Sequence, residues 1–211
     1  MVELWSLIIN AGGQSQRMGY PKALLPVPPH GRPLLATIVQ RLAGLQPYEV
    51  VVVANDPRLR QQLVLERAAR WISDRYGSVG PLGGIATALA ASVGWALVVA
   101  CDMPLLNPDL LQYLIHIAEE TDAAGESRWD AVVPVVAGYP EPLHALYHRR
   151  CLPAVEARLA NSERKATAFL ADVRVRYVNE EELRLYDPTL HSFLNANTPA
   201  EWQAICALLT E

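Results

Sequence analysis

An apolar run from Leu4 to Ile9 breaks directly into Asn10-Ala11-Gly12-Gly13-Gln14-Ser15-Gln16-Arg17-Met18-Gly19-Tyr20-Pro21-Lys22. The run reads as a buried first strand. Paired glycines let the backbone behind it pass close to a ligand, and consecutive unpaired N–H groups there can face an anion. Arg17 and Lys22 add two fixed positive charges within the same loop. Strand, glycine pair and spaced cations together can hold a triphosphate. The spacing excludes two commoner phosphate loops. Neither Gly12 nor Gly13 has the glycine five residues on that a Walker loop needs, and Gly-x-Gly-x-x-Gly is absent.

The rest of the chain alternates strand-like and helix-like segments. Pro33 to Leu45 has helical apolar spacing, and Val50 to Ala54 is a continuous buried strand followed by a helix near Pro57. Trp71 to Ser73 ends a third strand, Pro81 to Val93 is a small-residue helix, and Trp95 to Ala100 is the fourth strand. Asn107-Pro108 starts the next helix as cap and first-turn proline. Val132 to Val136, Leu143 to Tyr147 and Val173 to Val178 supply later strands, and Thr198-Pro199-Ala200-Glu201 opens a last helix with a capping box. Continuous apolar strands separated by helices indicate a mostly parallel sheet covered on both faces. The expectation is one three-layer, Rossmann-like α/β domain over residues 1–211, with no repeat and no linker.

Composition narrows the class of partner. The chain is 51% hydrophobic and 19% charged with net charge −4, and its Lys and Arg form no run, so nucleic acid is not an expected partner. Three widely spaced cysteines argue against a disulfide framework or a structural zinc site. No segment approaches ~20 uninterrupted apolar residues, which argues against a membrane span. The expected compartment is the cytoplasm.

In an open parallel sheet, ligands bind beyond the carboxyl ends of the strands. Asn10 to Gly13, Asn55, Asp74 and Asp102 all fall at such ends. Asn107 occupies the cap position of the helix after Asp102, so Asp102 is available for Mg2+, which keeps several waters and bridges phosphate oxygens. Asp74 can accept the two N–H groups of a guanine edge, hold a ribose hydroxyl, or stabilise its turn. Glycines 80, 83 and 84 allow either close ligand approach or tight helix packing. His144 and His148, on one strand, read as solvated or hydrogen-bonded. Asn195 and Asn197 can shape a turn or contact a second substrate, and Glu180-Glu181-Glu182 reads as a solvated helix start.

Six stretches carry a resemblance. They are Ala11-Gly12-Gly13-x-Ser15-x-Arg17-Met18-Gly19-x-x-Lys22, then Asp74, Gly80-Pro81-Leu82-Gly83-Gly84-Ile85, Cys101-Asp102-Met103-Pro104, Glu141 to Tyr147, and Phe193-Leu194-Asn195-Ala196-Asn197-Thr198-Pro199. In this order the sequence resembles the molybdopterin nucleotidyltransferases, the family that includes molybdenum cofactor guanylyltransferase, over nearly its whole length. The resemblance implies transfer of GMP from Mg·GTP to the phosphate of molybdopterin, with release of pyrophosphate. It implies nucleotide contacts at Asn10, Ala11, Gly12, Gly13, Lys22 and Asp74, and Mg2+ on Asp102. Arg17, Lys22 and Asp102 would be the catalytic group, and Asn195 and Asn197 second-substrate contacts. Molybdenum-insertion or cofactor-delivery proteins would be its protein partners. Asn10 stands where the family usually has an aliphatic residue, and Pro21 where an acidic one often precedes the lysine. A family asparagine aligns nearer Val53 than Asn55, so that contact is left unassigned. The rival functions are cytidylyl transfer to the same cofactor, nucleotidyl transfer to a sugar phosphate, and a non-catalytic molybdopterin carrier. The sugar-phosphate enzymes commonly add a hexapeptide solenoid, which is missing here.

Overall fold

The computed structural model describes residues 4–12 and 19–210. Strand β1 spans Trp5–Asn10, and a two-stranded ribbon, β2 (Pro26–Val27) with β3 (Arg32–Pro33), precedes helix α1 (Leu34–Arg41). Then follow β4 (Glu49–Val53), α2 (Pro57–Gln62), β5 (Ala69–Ile72), α3 (Pro81–Ala91), β6 (Trp95–Ala100) and α4 (Pro108–Ala118). The second half adds β7 (Ala131–Val136), β8 (Tyr139–Pro140), β9 (His144–His148), α5 (Leu152–Ala160), β10 (Val175–Val178), α6 (Glu180–Leu183) and α7 (Pro199–Leu208).

The strands form one sheet in the order β10-β7-β9-β6-β1-β4-β5, with β8 paired to β7. Alternation along the strands explains the three layers. In β1, Leu7 and Ile9 enter one core and Ile8 the other; in β4 and β6 the same split sends Val50, Val52, Leu97 and Val99 one way and Val51, Val53, Ala96 and Val98 the other. Helices α1 and α4 cover the first core, through Leu34, Leu35, Ile38, Leu110 and Leu114; α3 and α5 cover the second, through Leu82, Ile85, Leu89 and Val155. Strands buried on both faces must be apolar at every position, which is why β6 reads Trp-Ala-Leu-Val-Val-Ala.

Strand β1 runs parallel to β4 and β6, β4 to β5, and β7 to β10. Strands β8 and β9 are the exceptions, β8 antiparallel to β7 and β9 antiparallel to both β6 and β7. The cause is local. Ala137 and Gly138 have φ of 51° and 80°, and Val136 pairs with Tyr139, so the chain reverses in a two-residue hairpin instead of crossing over through a helix. Other differences from expectation are end effects. Helix α1 stops at Arg41, and Ala43–Leu45 tightens into a 3-10 turn ending at left-handed Gln46. Asn107 and Thr198 cap α4 and α7 as their sequences indicate. Asn179 does start α6, but the glutamates after it are not simply solvated: Glu182 accepts from Arg176 and Tyr113, and Glu180 accepts from the Ala137 N–H. Among the described residues, no helix is long and apolar enough to cross a membrane.

Candidate active site

A cleft of about 1170 Å³ opens along the carboxyl edge of β1, β4, β5 and β6. That is more than the ~300–1,000 Å³ usual for one small ligand. Asn10, Ala11, Gly12, Lys22, Asn55, Asp74, Asp102, Asn195 and Asn197 all line it. Gly13 and Arg17, the other expected members of the first loop, lie outside the described residues.

The loop begins where β1 ends. Asn10 Oδ1 accepts from the Gly12 N–H at 3.2 Å, and Ala11 N–H donates to the Val53 carbonyl, so the first turn is set by the chain itself. The first turn of α3 packs on the same side chain. A Cβ at Gly84 would lie 2.5 Å from Asn10 Nδ2, and one at Gly83 would lie 2.8 Å from Tyr76 Cβ. Close packing therefore accounts for Gly83 and Gly84. Gly80, at φ 90°, supplies a backbone shape disfavoured for other residues.

Lys22 sits at the head of a 3-10 turn and reaches across the cleft. Its Nζ donates to Asp102 Oδ2 and to Asn197 Oδ1, both at 2.7 Å. The Lys22 and Asp102 side chains are only 16% and 18% exposed, so this ion pair is sheltered from solvent screening. The backbone beneath is stapled as well, with Ala196 N–H donating to the Asp102 carbonyl at 2.8 Å. Asn107 caps α4 and leaves Asp102 alone. Asp102 Oδ1 is buried with no hydrogen-bond partner among the described residues. A hard cation bearing waters suits such an orphaned carboxylate oxygen. Among the described residues there is no cluster of three or more acidic, His or Cys side chains that would cage an ion without a substrate.

Asp74 divides its work. Its Oδ1 accepts from Tyr76 N–H and Thr87 Oγ1, each at 2.9 Å, which fixes the turn after β5. No bond from the described residues reaches Oδ2. Asn55 Oδ1 accepts from the Asp74 N–H, giving Asn55 a role in holding that turn. Asn195 is held by its own Nδ2 donating to Phe193 O. Cys101 is not a nucleophile, because burial and then the Asp102 charge push its thiol up to about 12.

Of the two histidines only His144 departs from expectation. His148 Nδ1 accepts from Arg150 N–H, whereas His144 is fully buried against Phe193 and neither ring nitrogen has a hydrogen bond from the described residues. Burial lowers its pKa to about 4, against the smaller pull of Asp187 and the Ser192 backbone.

Glu141 also lines the cleft, and its place follows from the reversed strand. In an all-parallel sheet the start of β9 would lie on the opposite rim. The Ala137-Gly138 hairpin, a short-range turn signal, is what brings Glu141, Pro142 and Leu143 to this one.

Comparisons with known proteins agree with this geometry. A "Probable molybdenum cofactor guanylyltransferase" from Pelotomaculum thermopropionicum is 36% identical over 92% of this chain and 88% of its own. A "Molybdenum cofactor guanylyltransferase" from Syntrophotalea carbinolica is 33% identical over 94% and 89%. The crystal structure of molybdopterin-guanine dinucleotide biosynthesis protein A from Archaeoglobus fulgidus superposes with TM-score 0.79 at 29% identity, covering 97% of this chain and 98% of that one. The profile of the MobA-like NTP transferase domain matches residues 7–179, and the chain belongs to that nucleotidyltransferase family.

Proposed function

We propose that this chain, acting as one nucleotidyltransferase domain, transfers GMP from Mg·GTP to the terminal phosphate of molybdopterin and releases pyrophosphate. The observation that carries the reading is the Lys22 clasp, a cation held over an orphaned carboxylate at the end of β6. The relatives' names supply the substrates.

In this reading GTP lies over β1, β4 and β5. Asn10, Ala11, Gly12 and Gly13 border its phosphates, although the Ala11 and Gly12 N–H groups donate within the chain, to the Val53 carbonyl and Asn10 Oδ1, and Asp74 Oδ2 accepts from the guanine N1–H and amino group. Arg17 and Lys22 offset the triphosphate charge. Asp102 would hold Mg2+, which would supply charge neutralisation at the phosphates. A molybdopterin phosphate oxygen attacks the α-phosphorus in line. A new P–O bond forms as the bond to the bridging oxygen of the β-phosphate breaks, and pyrophosphate leaves with the electron pair. The nucleophile is already anionic, so no general base is needed, and catalysis rests on positioning and charge. Asn195 and Asn197 border the second substrate, Asn197 by fixing Lys22 as well. Cytoplasmic handover to molybdenum-insertion or cofactor-delivery proteins is part of the same proposal.

A thermal-shift screen of the four nucleoside triphosphates with Mg2+ tests the base. GTP at a hundred times its Kd should add ~2.7 kcal/mol of stability. ATP, CTP and UTP at the same concentration should add far less. Equal turnover of CTP and GTP with molybdopterin defeats the guanylyl reading in favour of the broader transferase.

A further inference from the structure

Two carboxylates in the cleft have no part in that mechanism, Asp56, which is occupied by the Arg58 guanidinium, and Glu141. The Glu141 backbone is fixed, its N–H donating to the Pro134 carbonyl at 2.9 Å and its carbonyl accepting from His144 N–H at 3.2 Å. Its side chain is half-buried, lines the cleft, and receives no hydrogen bond or ion pair from the described residues. Burial alone raises its pKa, with no charge or donor opposing it. Partial desolvation without compensation is unfavourable, and a ligand bearing N–H donors removes that penalty.

Position and chemistry identify the ligand. Asp102 ends β6, and Asp74 follows β5, three strands away in the order β6-β1-β4-β5. At ~4.8 Å per strand that is roughly 14 Å. Glu141 leads into β9, the neighbour of β6 on the other side. Asp74 and Glu141, the cleft carboxylates besides Asp102 with acceptor capacity to spare, therefore flank the reacting centre. The two substrates carry the same recognition edge: guanine and a pterin each present a 2-amino-4-oxopyrimidine, whose ring N–H and amino N–H suit one carboxylate. With guanine at Asp74, the pterin needs an equivalent acceptor beyond Asp102.

We infer that Glu141 is a specificity residue for the second substrate, its carboxylate accepting the ring N–H and exocyclic amino group of a 2-amino-4-oxopteridine. The inference rests on the proposed placement of GTP on the β5 side.

Fluorescence titration separates this from the turnover reading. With Mg·GTP saturating the nucleotide side, 6-hydroxymethylpterin and the matching 2,4-dioxopteridine, which lacks the amino group, are titrated against the full chain. The parent should prefer the pterin by about tenfold or more, because a polar site discriminates strongly against an analogue that leaves its groups unpaired. Glu141→Gln should abolish the preference and keep its melting temperature, since no ion pair is lost. Asp74→Asn, at a GTP concentration that still saturates it, should retain the preference. In the complete reaction Glu141→Gln should raise KM for molybdopterin about tenfold and leave KM for GTP within twofold. A parent that does not discriminate the two pteridines overturns the inference. So does a Glu141→Gln variant that still discriminates, or one whose KM for GTP rises as much as that for molybdopterin. If the parent discriminates through Glu141 yet makes no dinucleotide from GTP and molybdopterin, the proposed activity fails and the Glu141 assignment stands.

Discussion

The two rims of the sheet treat their carboxylates in opposite ways. Just before β7, at the amino-terminal rim, Asp130 accepts from the Arg174 N–H, from Arg174 Nε and Nη2 and from Arg150 Nε, all at 3.0 Å. Desolvation pushes this carboxyl up, but the Arg174 hydrogen bonds and the charges of Arg174 and Arg150 outweigh it and hold the pKa down to about 2. At the carboxyl rim, Asp102 has a buried oxygen with no partner and Glu141 has no partner among the described residues. A saturated carboxylate is finished as structure. An unsaturated one retains capacity for something outside the chain, and the fold supports its cost elsewhere.

The largest test of that contrast pairs Asp102→Asn with Asp130→Asn. The first keeps size and shape but removes charge, and turnover should fall by about 10²–10³ or more, with partial recovery at high Mg2+. The second should leave turnover within about twofold and lower stability instead, by about 1 kcal/mol given its partly solvent-screened arginines. Pyrophosphate release and thermal melts on both variants decide the matter. Comparable turnover losses from the two would break the contrast.

Next in size is Lys22→Ala. Removing the cation should cost roughly a hundredfold in turnover, as for other preorganised charge stabilisers. Activity within a few-fold of the parent would strip the clasp of its catalytic meaning.

The smallest effect is on stability against pH. His144 has its folded pKa lowered from 6.5 to about 4, so its contribution is complete above pH 6.5 and is lost as pH falls toward 4. Asp130, lowered from 3.8 to about 2, loses its contribution only below that window. Unfolding free energy from denaturant melts should thus fall between pH 7 and pH 5 by about 1–2 kcal/mol through His144. A His144→Leu variant should flatten that limb, and Asp130→Asn should not.

Much of this was legible because buried parallel strands announce themselves. Continuous apolar runs gave the three layers, and strand ends gave Asn10, Asp74 and Asp102, since position along a strand fixes the rim. That Asp102 does not cap α4 followed from one local fact, the cap at Asn107. What stayed hidden depended on contacts between distant segments. Nothing near Asn197 in sequence says that its oxygen meets Lys22, and nothing in the His144 segment says that Phe193 covers it. Glu141 was obscured by direction: a parallel expectation for β9 puts it on the wrong rim, and only the Ala137-Gly138 turn corrects that.

The Lys22–Asn197 bond joins positions 175 apart, and the Ala196–Asp102 bond fastens the same late segment to the middle of the chain. Contacts of such separation form after local ones, because the chain entropy they remove is large. The clasp therefore waits until the sheet is assembled and residues 195–198 have docked. A partly folded copy lacks the lysine held over Asp102, and competence to react arrives with contacts between distant segments.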